Sequence, residues 1–164
     1  MRHLSAIFLL PCVVVAVVPL WLLTSWRQVD LRWHADVLAY SGRAVGLLLF
    51  GVGLLLFTWC VALFARVGDG TLAPWDPTRR LVAVGPYRYV RNPMITAVAA
   101  MLVGETLFFG SAGLAAWSVI FVVINHVYFL VSEEPGLERR FGDAYADYRG
   151  HVPRWLPRIG QRNQ

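Results

Sequence analysis

Long windows without a formal charge constrain this chain more than any motif in it. The first runs from about Leu4 to Leu23 (LSAIFLLPCVVVAVVPLWLL) and the second from about Ala44 to Phe64 (AVGLLLFGVGLLLFTWCVALF). Each supplies the roughly 20 apolar residues needed to cross about 30 Å of hydrocarbon. A third stretch, from Pro93 to about Phe109, is short for a span, and a fourth follows from about Leu114 to Val131. Composition agrees: 57% of the residues are hydrophobic and 15% charged, where a soluble domain carries about a quarter charged residues. The expected fold is an all-α integral membrane protein, with about four transmembrane helices in a single membrane-embedded domain over residues 1–164.

A cleaved leader would also place Arg2 before an apolar run, but this run is too long and no small-residue cleavage site follows it. Trp21 and Trp26 instead suit an interfacial belt. In the second segment Gly42, Gly46 and Gly53 fall near one helical face, where they let a neighbouring helix approach closely. Pro93 is a good first-turn residue, and Gly110-Ser-Ala-Gly113 makes a tight turn, so segments three and four read as an antiparallel hairpin. Glu105, toward the outer half of segment three, has Arg43 as its candidate partner.

All fifteen basic residues are arginine. Twelve lie at the N-terminus, in the loop between segments two and three, or in the C-terminal tail, while Arg27, Arg32 and Arg43 lie on the other side. Arginine-rich flanks mark the cytoplasmic face, which places both termini there. Topology thus explains the net charge of +5 without nucleic acid. Cys12 and Cys60 are far apart inside apolar runs, outside any CxxC spacing, so neither redox nor metal chemistry is expected. The Gly/Pro-rich stretch from Arg66 to Arg80 reads as a cytoplasmic loop.

Beyond segment four, EEPGLERRFGDAYADYR reads as one short amphipathic helix at the cytoplasmic interface. Leu137, Phe141, Tyr145 and Tyr148 form its stripe. Because the hairpin turn is tight, its open ends are neighbours. Arg88, Tyr89, Arg91 and Asn92 then stand across one cleft from Asn125, His126, Tyr128, Glu133 and Glu134. His126 and Glu133, seven residues apart, share a helical stripe, with Asn125 about 100° round. Polar groups at membrane depth are costly and face a cavity or a partner. Arginine suits a carboxylate, glutamate an ammonium and aromatic rings a flat ring or a cation. S-adenosylmethionine combines all these parts.

The same residues carry a resemblance. GPYRYVRNPM, an apolar hairpin, and then EEPGLERRFGDAYADYRGHVPRWLPR resemble the isoprenylcysteine carboxyl methyltransferase and phospholipid methyltransferase family of integral membrane enzymes. The likeness covers about Gly68 to Arg158 and leaves the first two spans generic. It implies S-adenosylmethionine as cofactor, bound at the cytoplasmic ends of the last two spans under the C-terminal helix. Arg91 matches the motif arginine, Glu133 and Glu134 the paired acids, and Tyr145, Tyr148 and Arg154 the enclosing tail. Asn92 stands where histidine is commonest, and Met94-Ile95-Thr96-Ala97 replaces a stretch that often holds tyrosine and glycine.

Arg91 and Glu134 are therefore the candidate catalytic residues, as anchors of cofactor or acceptor. Tyr89, Asn92, Pro93, Asn125, His126, Glu133, Leu137, Tyr145, Tyr148 and Arg154 are candidates for cofactor binding, and no metal site is expected. A hydrophobic acceptor entering from the lipid bilayer would need no general base if it were a carboxylate or thiolate. An amine would need one, with Glu133, Glu134 and His126 as candidates. The competing reading is a non-enzymatic scaffold or accessory subunit whose polar cluster is structural. A transporter is disfavoured, since the chain is short, has no inverted repeat and gathers its polar groups at one leaflet.

Overall fold

The computed structural model describes residues 11–25, 37–67 and 83–155. The start of the first segment, most of the Arg66–Arg80 loop, Trp26 and the arginines Arg2, Arg27, Arg32, Arg158 and Arg162 lie outside these residues. Helix α1 (Val13–Ser25) opens on a π-helical turn, Val13–Val17. Helix α2 (Val37–Val67) follows, then a 3₁₀ turn at Gly85–Arg88 and helix α3 (Pro93–Phe109). Helix α4 (Ala112–Phe141) is regular to Tyr128, passes through a π-helical turn at Phe129–Glu133 and resumes at Glu134. Helix α5 (Asp143–His151) ends the described fold.

Two of these helices are long and apolar enough to cross a membrane, over Ala39–Leu63 and Ala112–Phe141. Only 22% of each apolar window is buried, so neither is the core helix of a soluble protein. Leu47, Leu48 and Leu55 on α2, and Ile124 and Val131 on α4, are each more than half exposed. An outward face this apolar is unstable in water and belongs in lipid. Helices α1 and α3 are apolar but shorter.

The largest interface joins α2 to α3, and glycine sets its spacing. A Cβ on Gly46 would stand 2.6 Å from the Gly104 carbonyl oxygen, and one on Gly104 would stand 2.6 Å from that of Gly46. Gly53 repeats the arrangement, 2.7 Å from the Ala97 carbonyl oxygen. The helices therefore touch backbone to backbone, which is how membrane helices gain packing energy when burial from water contributes little. The expected contact face is realised at Gly46 and Gly53, and α3 answers with Gly104. Around this seam lies the core: Phe57 from α2, Ala97, Val98, Met101 and Leu102 from α3, and Phe121 from α4. Val14 and Val15 of α1 pack against it, and the Trp117 indole N–H donates to the Val14 carbonyl at 3.1 Å.

Segments three and four do form a hairpin. Gly110 takes a left-handed conformation (φ 64°) and its N–H closes α3 on the Thr106 carbonyl at 2.9 Å. Ser111 then caps α4 by accepting the Leu114 N–H at 3.4 Å. With so short a connection, the start of α3 and the Glu133–Glu134 stretch come to the same side of the fold.

Three expectations are corrected. The fourth helix does not stop near Val131 but runs through the π turn to Phe141. The single amphipathic helix after it is two helices, divided at Gly142 (φ 54°), whose conformation strains any residue with a Cβ. Glu105 and Arg43 form no pair: Arg43 lies over the Tyr40 ring at 5.9 Å, and Glu105 Oε2 has no hydrogen-bond partner among the described residues.

Candidate active site at the open end of the hairpin

The chain enters this region through the 3₁₀ turn Gly85–Arg88, where Gly85 has φ 58° and a Cβ there would meet Leu63 Cδ1 at 2.7 Å. The turn buries Tyr87 beside Cys60 and leaves Tyr89 61% exposed. Arg91 and Asn92 follow immediately before Pro93 starts α3. Proline at that first position lacks the N–H that would have no helical partner there.

Glu134 sits on the other side of the opening, 7% exposed. Its Oε1 accepts from Arg91 Nη1 at 2.8 Å and from Arg154 Nε at 2.8 Å. A buried carboxylate is tolerated only when paired and hydrogen-bonded, and here two guanidinium groups share one oxygen. The Arg91 guanidinium also lies beside the Tyr145 hydroxyl, yet its Nε is buried with no acceptor among the described residues. Glu133 is differently placed. In the amide orientation that satisfies both groups, the Asn92 nitrogen lies 3.1 Å from Glu133 Oε1.

The C-terminal strand of contacts closes over the cluster. The Arg91 backbone N–H donates to the Pro153 carbonyl at 2.9 Å, and the Tyr148 hydroxyl donates to the Tyr87 carbonyl at 2.6 Å. The Trp155 indole N–H donates to His126 Nδ1 at 3.2 Å, with the two rings stacked at 6.4 Å and Phe129 5.6 Å from Trp155. Burial pushes the pKa values of Tyr87, Tyr145 and Tyr148 above the usual phenol range. Neighbouring Cys60 adds to the rise at Tyr87, Glu134 to that at Tyr145, and Tyr145 to that at Tyr148. All three hydroxyls stay protonated, and that of Tyr148 is the donor to the Tyr87 carbonyl.

The structure thus brings together Arg91, Asn92, Glu133, Glu134, Tyr145, Tyr148 and Arg154. Asn125 behaves otherwise, its amide turning back on its own helix to donate to the Phe121 carbonyl at 2.8 Å. His126 and Glu133 do not share a stripe, because the π turn intervenes and re-aims the residues after it. The inward face of α4 runs Leu114, Ser118, Phe121, Phe129, Glu134, and its last step is five residues. Leu137 is half-buried and Pro93 fully buried, both as packing groups. Sequence reasoning missed Trp155 and the Tyr87 carbonyl. The tryptophan was visible as an aromatic beside Arg154, but nothing marks a backbone carbonyl as an acceptor.

Residues 41–144 match the family described as phospholipid methyltransferase. The chain is 33% identical over 81 residues to methanethiol S-methyltransferase 2 of Bradyrhizobium diazoefficiens, a stretch covering 48% of this chain and 29% of that protein. It is 34% identical over 65 residues to an uncharacterized protein of Haemophilus influenzae, covering 38% of this chain and all of the other. The match to the methanethiol enzyme therefore spans under a third of that relative's length.

Proposed function

Because the chain belongs to the phospholipid methyltransferase family, we propose that it is an S-adenosylmethionine-dependent methyltransferase acting on a hydrophobic or lipid-like acceptor. The observation that carries this reading is the Arg91–Glu134–Arg154 cluster with its buried, unpartnered Arg91 Nε. A donor held in a closed site without an acceptor fits the carboxylate of an amino-acid ligand. When bound, S-adenosylmethionine supplies a methyl group already activated on a sulfonium.

In this reading Arg91 and Arg154 hold the ligand carboxylate, and Glu134 fixes both guanidinium groups so that neither must reorganise. Tyr145 and Tyr148 wall the adenosyl group. Asn92 and His126 complete the donor side, with Tyr89 at the rim, while Pro93, Asn125 and Leu137 support it through packing and the helix backbone. The acceptor enters sideways from the bilayer. In this reading the chain crosses the bilayer four times, and the arginine distribution supports both termini and the site at the cytoplasmic face. The family description names phospholipids and the relative's name methanethiol, so amine, thiol and carboxylate acceptors all fall within the proposal.

Calorimetric titration of S-adenosylhomocysteine into the detergent-purified chain tests it. Saturable binding is expected, weakened about tenfold or more in Arg91→Ala, the loss of one charge-assisted contact. Folded wild-type protein that binds neither S-adenosylhomocysteine nor S-adenosylmethionine refutes the reading and leaves a structural polar cluster.

A further inference from the structure

Two adjacent carboxylates at this site have unlike surroundings. Glu134 is neutralised by two guanidinium groups through one oxygen. Among the described residues no arginine or histidine lies within ion-pair distance of Glu133, whose Oε1 faces the neutral Asn92 amide at 3.1 Å. Glu133 Oε2 makes no hydrogen bond among the described residues.

The other candidates for a proton acceptor are committed elsewhere. His126 accepts the Trp155 N–H at Nδ1, so its own proton sits on Nε2 and the ring presents a donor. Tyr145 and Tyr148 are neutral, and one hydroxyl is spent on the Tyr87 carbonyl and the other engaged by Arg91. Glu134 Oε1 is already occupied by two guanidinium groups, Arg91 and Arg154, each at 2.8 Å.

We propose that Glu133 is the proton acceptor of the reaction, and hence that the methyl acceptor carries a proton on its attacking heteroatom, as a thiol or an amine does. This rests on the methyltransferase reading above. It departs from the resemblance, which groups Glu133 with the donor-binding acids. The acceptor's heteroatom forms its bond to the methyl carbon as the carbon–sulfur bond of the sulfonium donor breaks. The bonding pair goes to sulfur, and the proton shed by the heteroatom goes to Glu133 Oε2. A carboxylate acceptor has no proton to give and would meet an unneutralised carboxylate, so it is disfavoured here.

The test uses the full chain in lipid nanodiscs with methyl-labelled S-adenosylmethionine and three acceptors: a long-chain alkanethiol, phosphatidylethanolamine and an S-prenylated N-acetylcysteine. Glu133→Gln keeps an acceptor oxygen for the Asn92 amide while removing the base. Methylation of the thiol or the amine is expected, and the arm that reacts identifies the heteroatom. In Glu133→Gln, kcat should fall about 100-fold or more, with S-adenosylhomocysteine affinity by calorimetry unchanged within about threefold. Unchanged turnover overturns the proposal, as does methylation of the prenylcysteine carboxylate alone or of none of the three. A parallel loss of S-adenosylhomocysteine affinity also overturns it and returns Glu133 to the donor's ammonium. Wild-type protein that binds no S-adenosylhomocysteine fails the methyltransferase reading itself, a result distinct from all of these.

Discussion

At the residue scale, Glu134 holds together two arginines that would otherwise repel each other. Arg91 precedes α3 and Arg154 follows α5, so this one carboxylate ties the chain's tail to the hairpin. Removing one partner of a mostly buried ion pair leaves uncompensated charge and costs about 3–5 kcal/mol. Glu134→Ala should therefore lower the thermal midpoint of the purified protein far more than Glu138→Ala, whose contact with Arg149 is largely exposed. Equal shifts in the two variants would mean that the cluster contributes no stability. Tyr148→Phe is a milder case. It deletes the 2.6 Å bond to the Tyr87 carbonyl, a loss of about 1 kcal/mol. Faster amide exchange across residues 143–151, with α2 and α3 unchanged, is the expected signature.

At the scale of elements, glycine decides how α2 and α3 meet. A side chain at Gly46 collides with the α3 backbone, which cannot move aside as a flexible side chain would. Gly46→Val should cost about 1–3 kcal/mol by overpacking. Gly51 lies on the same helix with nothing within 4 Å of its would-be Cβ, so Gly51→Ala should be neutral or stabilising by up to about 1 kcal/mol. Thermal unfolding of the two variants side by side checks the pair, and a comparable loss in both would refute the close-approach account. These contacts were legible from the sequence, because glycines at helical spacing in an apolar run have few other uses. So was the hairpin, since Pro93 and Gly110 mark its first and last turns by their backbone chemistry. The π turn was not legible. Phe129 to Glu133 reads as ordinary helix, and the one-residue slip shows only in the five-residue step from Phe129 to Glu134. The break at Gly142 was missed for a related reason: side-chain periodicity continues across it while the backbone does not.

At the scale of the whole molecule, the paired ends of α3 and α4 make a site that neither helix carries alone. Arg91, Asn92, Glu133 and Glu134 are 41 or more positions apart across the hairpin and meet because Gly110 and Ser111 turn the chain back. The sequence exposed that meeting through order and charge. It could not show which carboxylate takes the arginines, since adjacent glutamates differ only in direction and the π turn sets the direction. The same geometry fixes a relation that topology must obey: the Gly110–Ser111 turn and His151 belong on opposite sides of the membrane if α3 and α4 both cross it. The excess of arginine beside the site predicts that His151 lies on the cytoplasmic side. In a background with Cys12 and Cys60 replaced by alanine, Gly113→Cys should react with a membrane-impermeant maleimide added to intact cells. His151→Cys, exposed on α5, should react only after the membrane is permeabilised. Labelling of His151→Cys in intact cells would invert the orientation, and labelling of both positions from one side would show that α3 or α4 does not span.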